Sequence, residues 1–235
     1  MSDWKDVVNP PCVVLCGGKG TRFAAEQGHK SMAEVEGMPI IHHVIEYWSQ
    51  LTNDFIFVVK HGKEPLVKYI ETLPIKSRFV EPKELKGIAD GLSYASPYID
   101  GPFFMVLGDC FYSGEFELPD KMRMGLGVVT DHSMDKIKEN YSVIIEGGRI
   151  KRLVEKPKKP ENSICGTGFY FLQKEVFEYI EVAKRECGQN ELGITEVLQG
   201  LITQGEEVYP VYMNGLYVNV NRRSDVDYIL ESLSE

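Results

Sequence analysis

"VVLCGGKGTRF", residues 13–23, decides how this chain is read. The apolar run over residues 11–16 carries no polar side chain, as expected of a strand covered on both faces. It runs directly into Gly17, Gly18, Lys19, Gly20, Thr21 and Arg22. Glycines let backbone N–H groups approach anionic oxygens closely, and Lys19 and Arg22 add charge-assisted hydrogen bonds, so the segment suits a phosphate. Two familiar phosphate loops do not fit. The Walker pattern needs a Lys-Ser/Thr pair after its second glycine, and the dinucleotide fingerprint needs a third glycine where Phe23 stands. An ordinary glycine turn flanked by surface cations is the plain alternative.

Outward from this loop the first half alternates strand and helix. Helical patterns over residues 40–50, around 65–73 and over 88–96 separate strand patterns at 55–59, 78–80 and 103–107. Such alternation predicts an α/β fold, a Rossmann-like and mostly parallel central sheet flanked by helices. Gly108 and Asp109 follow the last of these strands, at the edge where open α/β sheets bind ligands. The second half differs in texture. Strands at 126–129, 141–146, 150–154 and 168–172, two of them joined through an "EGGR" turn, predict an antiparallel contribution to a mixed sheet. Helices over 174–185 and 194–204, strands at 207–212 and 217–220, and a closing helix capped by Ser224 complete the reading. No linker or repeat interrupts it, which predicts one domain over 1–235, with a nucleotide-binding part at about 11–125 and an acceptor-binding part at about 126–220.

The net charge of −9 opposes binding to a nucleic-acid backbone or an anionic membrane, while leaving room for a locally cradled nucleotide. No apolar run approaches a membrane span and no signal peptide is evident, so the chain reads as cytoplasmic. Five scattered cysteines, an odd number, read as buried thiols rather than as a zinc or disulfide framework. His42 and His43 read as members of a packed helix.

"LCGGKGTRF", followed by "HKSMAEVEGMPIIHHVIEYW", resembles the opening of the sugar-1-phosphate nucleotidyltransferases, also called nucleotide-sugar pyrophosphorylases. "ELKGIADGLSYA", "FFMVLGDC", "RIKRLVEKPKKP" and "CGTGFYFL" resemble later segments of that family in the right order. The resemblance implies transfer of a nucleoside monophosphate from an NTP to a phosphorylated acceptor, with release of pyrophosphate and with Mg²⁺ as cofactor. It places Leu15, Gly17, Gly18, Lys19, Gly20 and Thr21 along the nucleotide, Arg22 on its outer phosphates, Lys30 near the reacting phosphate and Asp109 on the metal. Glu81 or Glu84 and Gly87 fall near the nucleobase, and Glu155, Lys156, Gly166, Thr167 and Glu196 near the acceptor. A carboxylate beside the base would prefer cytosine or guanine, and "HHVIEYWSQLTNDFIFVV", similar to a segment of the glucose-1-phosphate cytidylyltransferases, tilts the reading toward CTP.

Two departures stand out. The prolines that flank the family's lysine are replaced by His29 and Ser31. Where many members carry a second metal-binding aspartate, this chain reads "LYVNVNRR", which offers Asn219, ranked first, and Asn221. An amide oxygen still ligates a hard cation, with less charge. Other readings are a GT-A glycosyltransferase, disfavoured because "LGDCFY" holds one carboxylate rather than Asp-x-Asp, a silent NTP-binding homologue, and a cytidylyltransferase acting on phosphocholine or a phosphonate. A homo-oligomer is compatible with the sequence. With no segment for a second catalytic domain after the final helix, a single activity is expected.

Overall fold

The computed structural model describes residue 4 and residues 7–18, 29–119, 121–130, 133–188 and 190–234. Strand β1 (Cys12–Cys16) lies inside the sheet with both faces covered. Its side chains alternate between two apolar clusters, with Cys12, Val14 and Cys16 in one and Val13 in the other. Helices α1 (Ile40–Trp48), α2 (Lys63–Ile70) and α7 (Arg223–Leu233) cover the first cluster. Helices α3 (Ile88–Ser93), α5 (Val176–Cys187) and α6 (Ile194–Thr203) cover the second. In α1 the buried residues Ile40, Ile41, Val44, Ile45 and Trp48 form one apolar stripe, and Trp48 stacks on Phe169 with ring centroids 4.4 Å apart.

β1 pairs in parallel with β4 (Asp54–Val59) on one side and β6 (Phe103–Leu107) on the other, and β5 (Lys76–Val80) extends the sheet beyond β4. The chain leaves β1 in one direction through β4 and β5, then returns to place β6 on the opposite side. That reversal puts a topological switch point between the C-terminal ends of β1 and β6, where the glycine-rich segment and Asp109 begin. Beyond β6 the sheet continues through β11 (Cys165–Leu172), β8 (Met124–Val129) and β12 (Val208–Asn219) to β7 (Cys110–Glu117) at the far edge. β9 (Tyr141–Glu146) and β10 (Arg149–Glu155) form an antiparallel pair joined to the start of β11. The mixed, mostly parallel sheet expected from the sequence is therefore present, with β6–β11, β11–β8, β12–β7 and β9–β10 antiparallel. A separate small hairpin joins β2 (Glu34–Val35) to β3 (Met38–Pro39).

Four local expectations are corrected. β7 follows directly on Asp109, where no strand was expected, because its exposed Gly114 and Glu115 interrupt the apolar pattern. Pairing along β7 also merges the two strands expected at 207–212 and 217–220 into the single β12. A short helix α4 (Met134–Glu139) went unpredicted because Ile137 alone among its residues is buried; Ser133 caps it by accepting from Lys136 N. Ser224 lies inside α7 rather than capping it. The capping oxygen is Asp225 Oδ2, which accepts from Asn221 N and Arg222 N at 2.8 and 2.9 Å. All five cysteines are unpaired, and Cys12, Cys16, Cys110 and Cys165 are buried. Among the described residues no helix is long and apolar enough to cross a membrane.

Candidate active site

Three chain segments meet at the switch point. Lys30 opens a 3-10 turn (Lys30–Met32) just past the glycine-rich segment, Asp109 follows the end of β6, and Asn221 follows the end of β12. Lys30 Nζ donates to Asp109 Oδ2 at 2.8 Å, to Asn221 Oδ1 at 3.0 Å and to the Val220 carbonyl at 3.4 Å. A backbone bond from Val220 N to Asp109 O, 2.9 Å long, holds the two strand ends together. The Lys30 and Asp109 side chains are 18% and 25% exposed, so the pair is only partly solvated and each charge satisfies the other.

A chain of amides runs alongside. Asn140, at the C-terminal end of α4, donates from Nδ2 to Lys136 O at 2.9 Å and accepts at Oδ1 from Asn219 Nδ2 at 3.1 Å. Because Lys136 O can only accept, the orientation of both amides follows, and Asn219 Oδ1 is left buried without a hydrogen-bond partner. The Asn140 carbonyl accepts from Lys156 N at 2.7 Å, which holds Lys156 at a φ of 42°. The oxygens gathered here are one carboxylate, Asp109, and the amides of Asn219 and Asn221. They fit a hard cation that keeps part of its water shell. Among the described residues no group of three or more His, Cys, Asp or Glu is placed to hold a metal ion, so the amide oxygens would complete that set.

A cleft of about 830 Å³ leads away from Lys30, with Gly18, Gly87 and Ile88 among its lining residues and Glu155, Lys156 and Thr195 in its wall. Glu155 Oε2 accepts from Thr195 Oγ1 at 3.1 Å, and Lys156 Nζ stands 3.8 Å from Glu155 Oε1. Burial against the cleft wall raises the Glu155 pKa above the ordinary carboxylate value, opposed by Lys156 and Thr195 and reinforced by Glu196. Its side chain is still 46% exposed, so solvent in the cleft moderates the effect. Thr167 also lines the cleft; its carbonyl accepts from Tyr141 Oη at 2.7 Å, and Tyr141 Oη lies 3.1 Å from Tyr170 Oη.

The sequence-derived candidates distribute unevenly. Gly18, Lys30, Gly87, Glu155, Lys156, Thr167, Glu196, Asn219 and Asn221 line this cleft, and Asp109 contacts it through Lys30. Glu196 spends one oxygen on the start of α6, where it accepts from Gly193 N. Gly166 is not in the wall: it sits against the Tyr141 ring, where any larger side chain would overlap the ring. Leu15 and Gly17 are likewise not lining residues; the Leu15 carbonyl instead accepts from Gly108 N at 3.0 Å and ties β1 to β6. Glu81 and Glu84 are not among the lining residues of this cleft; Glu81 forms an ion pair with Lys63, and Glu84 pairs with Lys86 at 3.1 Å. Lys19, Gly20, Thr21 and Arg22 lie outside the described residues.

Gly87 does more than open a helix. It adopts a φ of 100°, and a β-carbon there would lie 2.8 Å from the Leu192 carbonyl carbon. Leu192 N donates to Lys86 O and Ala89 N to Leu192 O, at 2.9 and 3.1 Å, fastening the turn before α3 to the segment that leads into α6. Thr195, Asn140 and the tyrosines at 141, 170 and 217 were missed from sequence. Thr195 had a visible signal, a hydroxyl beside Glu196 at a helix start. The tyrosines had none, since aromatic residues in apolar strands read equally well as core.

The described geometry agrees with what known proteins resemble. A profile described as nucleotidyl transferase matches residues 12–217. The chain is 31% identical over 231 residues to the bifunctional protein GlmU of Methanocaldococcus jannaschii, covering 94% of this chain and 55% of that protein, so it spans about half the length of that relative. It is 26% identical over 235 residues to the UTP–glucose-1-phosphate uridylyltransferase AglF of Haloferax volcanii, covering 95% of this chain and 96% of that one. Among solved structures, a putative glucose-1-phosphate thymidylyltransferase from Bacillus anthracis superposes with a TM-score of 0.81 at 20% identity, covering 94% of each chain. The inositol-1-phosphate CTP transferase from T. maritima superposes with a TM-score of 0.80 at 20% identity, covering 97% of this chain and 96% of the other. At that identity the superpositions speak for the fold. With nearly all of its central sheet inside the matched span, from the start of β1 to all but the last two residues of β12, the chain belongs to the nucleotidyl transferase family.

Proposed function

We propose that the protein transfers a nucleoside monophosphate from an NTP to a sugar 1-phosphate with Mg²⁺ as cofactor. The observation that carries this reading is the Lys30 ammonium, held between Asp109 and Asn221 at the mouth of a cleft whose far wall pairs a carboxylate, Glu155, with an ammonium, Lys156. An acceptor phosphate oxygen attacks the α-phosphorus. A new P–O bond forms, the bond from the α-phosphorus to the bridging oxygen breaks, and pyrophosphate leaves with that electron pair. A phosphate monoester is already a nucleophile at neutral pH, so the work left to the protein is positioning and neutralisation of charge between two anions. No general base is required of it.

In this reading Lys30 turns from Asp109 to the reacting phosphate when the nucleotide arrives, and Asp109 with the Asn219 and Asn221 amide oxygens holds the cation. When bound, that cation neutralises phosphate charge and orients the triphosphate. Glu155 and Thr195 accept and donate to acceptor hydroxyls, while Lys156 meets the acceptor phosphate. The turn at Gly87 and Ile88 borders the base. Glu81 and Glu84 are each in an exposed ion pair, and the base is decided by assay.

The test is pyrophosphate release with Mg²⁺, pairing each of ATP, CTP, GTP, UTP and dTTP with a panel of sugar 1-phosphates, polyol phosphates and phosphocholine. Release that needs one NTP and one sugar 1-phosphate, and is lost in Asp109→Ala, supports the reading. Release with a non-sugar acceptor alone replaces the sugar in it, and absence of NTP binding overturns it.

A further inference from the structure

We propose that His29 is a positioning residue that clamps the neck of the glycine-rich segment and so sets Lys30 for transfer; this rests on the role given to Lys30 above. His29 is the N-cap of the 3-10 turn (Lys30–Met32), with φ −75° and ψ 128°. Its Nδ1 accepts from Ser31 N at 3.2 Å, and its Nε2 lies 2.8 Å from the Cys16 carbonyl. A backbone N–H can only donate and a carbonyl can only accept. The two partners therefore demand a neutral ring with a bare Nδ1 and the proton on Nε2. Burial holds the imidazole pKa below its ordinary value, reinforced by Lys30 and opposed by the Cys16 carbonyl and Asp109.

The placement of these two bonds gives them their consequence. Cys16 is the last residue of β1, and His29 immediately precedes Lys30, so one imidazole ties together the residues that flank positions 17–28. The same ring fixes the turn carrying Lys30, which is tightened further by Met32 N to His29 O at 2.8 Å and Ala33 N to Lys30 O at 3.0 Å. Ser31 is 1% exposed, so the turn is anchored in the interior. A lysine side chain has many rotamers to lose, and it converges on Asp109, Asn221 and Val220 only from a backbone held in place.

The geometry also accounts for the residues on either side of Lys30. A proline at position 29 would fit a φ of −75° but would contribute neither hydrogen bond. A proline at position 31 would delete the N–H that His29 accepts, and would push Lys30 out of its helical conformation. In this chain two side-chain bonds supply the stiffness that ring closure supplies elsewhere.

The experiment compares wild type with His29→Asn, which keeps an oxygen able to cap Ser31 N but is too short to reach the Cys16 carbonyl. Steady-state pyrophosphate release, thermal unfolding and the ¹⁵N spectrum of the His29 ring are measured. Expected are an Nε2–H tautomer in the wild type, a kcat roughly 10- to 100-fold lower in His29→Asn, and an acceptor KM and thermal midpoint close to wild type. A ring protonated on Nδ1 or on both nitrogens at neutral pH overturns the clamp. So does a kcat within about twofold of wild type, or a loss of rate matched by a loss of folded protein. Wild-type protein that releases no pyrophosphate with any substrate pair overturns the transfer reading and Lys30's role with it; an active wild type beside an unaffected His29→Asn overturns the clamp alone.

Discussion

The two halves of the sheet do different jobs with different sequence textures. β4 and β6, in the parallel half, are buried along nearly their whole length, with only the edge strand β5 partly exposed. In the other half β7 and β10 alternate or lose burial partway, around the fully buried β8 and β11. A strand covered on both faces needs apolar residues at every position; one covered on a single face needs them at every second. The parallel half supplies the stiff switch point where Lys30 and Asp109 meet. The other half supplies a wall of side chains, Glu155, Lys156 and Thr195, which in the proposed reaction would face the acceptor. Under the proposed reaction this is a division of labour between a half that would hold the nucleotide and a half that would meet the acceptor, joined at Asn221 and at the contact between Gly87 and Leu192.

Substitutions test whether that division is real. The largest effect is expected from Lys30→Ala, which removes the cation shared by Asp109 and Asn221. It should lower kcat by about 100- to 1,000-fold while the acceptor KM stays within a few-fold, measured by steady-state pyrophosphate release. An equal rise in acceptor KM would break the division.

Next comes Glu155→Gln, expected to raise the acceptor KM roughly tenfold with a smaller change in kcat, as loss of a charge-assisted bond to a hydroxyl would. Because the Glu155 pKa is raised by burial, its ionised form is lost as pH falls at a higher pH than for an ordinary glutamate. The wild-type acceptor KM should therefore begin to climb above the usual carboxylate range, and Glu155→Gln should flatten that climb.

Gly87→Ala places a methyl group against the Leu192 backbone at a φ that disfavours side chains. A loss of about 1–3 kcal/mol in denaturant unfolding is expected, together with rises in both the NTP and the acceptor KM, because the contact joins the two halves. A change in one KM alone would show the halves to be uncoupled there. The smallest effect belongs to Glu81→Gln. With its carboxylate turned outward to Lys63, the NTP KM should stay within about twofold of wild type for every base tested.

Legibility crossed that division: β9, in the other half, was read with its boundaries intact, while β5, in the parallel half, was read only over 78–80. The strand at 103–107 was read with its boundaries intact, and β1 and β4 to within a residue, because continuous burial writes itself into composition. β11 was read only from Gly168, since Cys165, Gly166 and Thr167 are drawn into the strand by pairing with β8 and β9 rather than by any pattern of their own. β7 and α4 escaped notice for the related reason that each buries too few residues to leave a period. Among the candidate site residues, the glycines after β1 and Asp109 after β6 stood out by their local setting, whereas Lys30 was singled out by the family resemblance. Thr195 and Asn140 became visible only through the partners they hold.

By itself the sequence determined that a buried strand ends in glycines, that strand and helix alternate around it, and that an aspartate follows a later strand end. These are properties of neighbouring residues, carried by composition and period. Tertiary structure alone decided that Lys30 meets Asp109 and Asn221 across separations of 79 and 191 residues, that Thr195 meets Glu155 across 40, and that Glu81 turns outward to Lys63. Side-chain partners so distant are chosen by which strands lie side by side and where each ends. That choice is made by the packing of the whole sheet and has no counterpart in any short window of sequence.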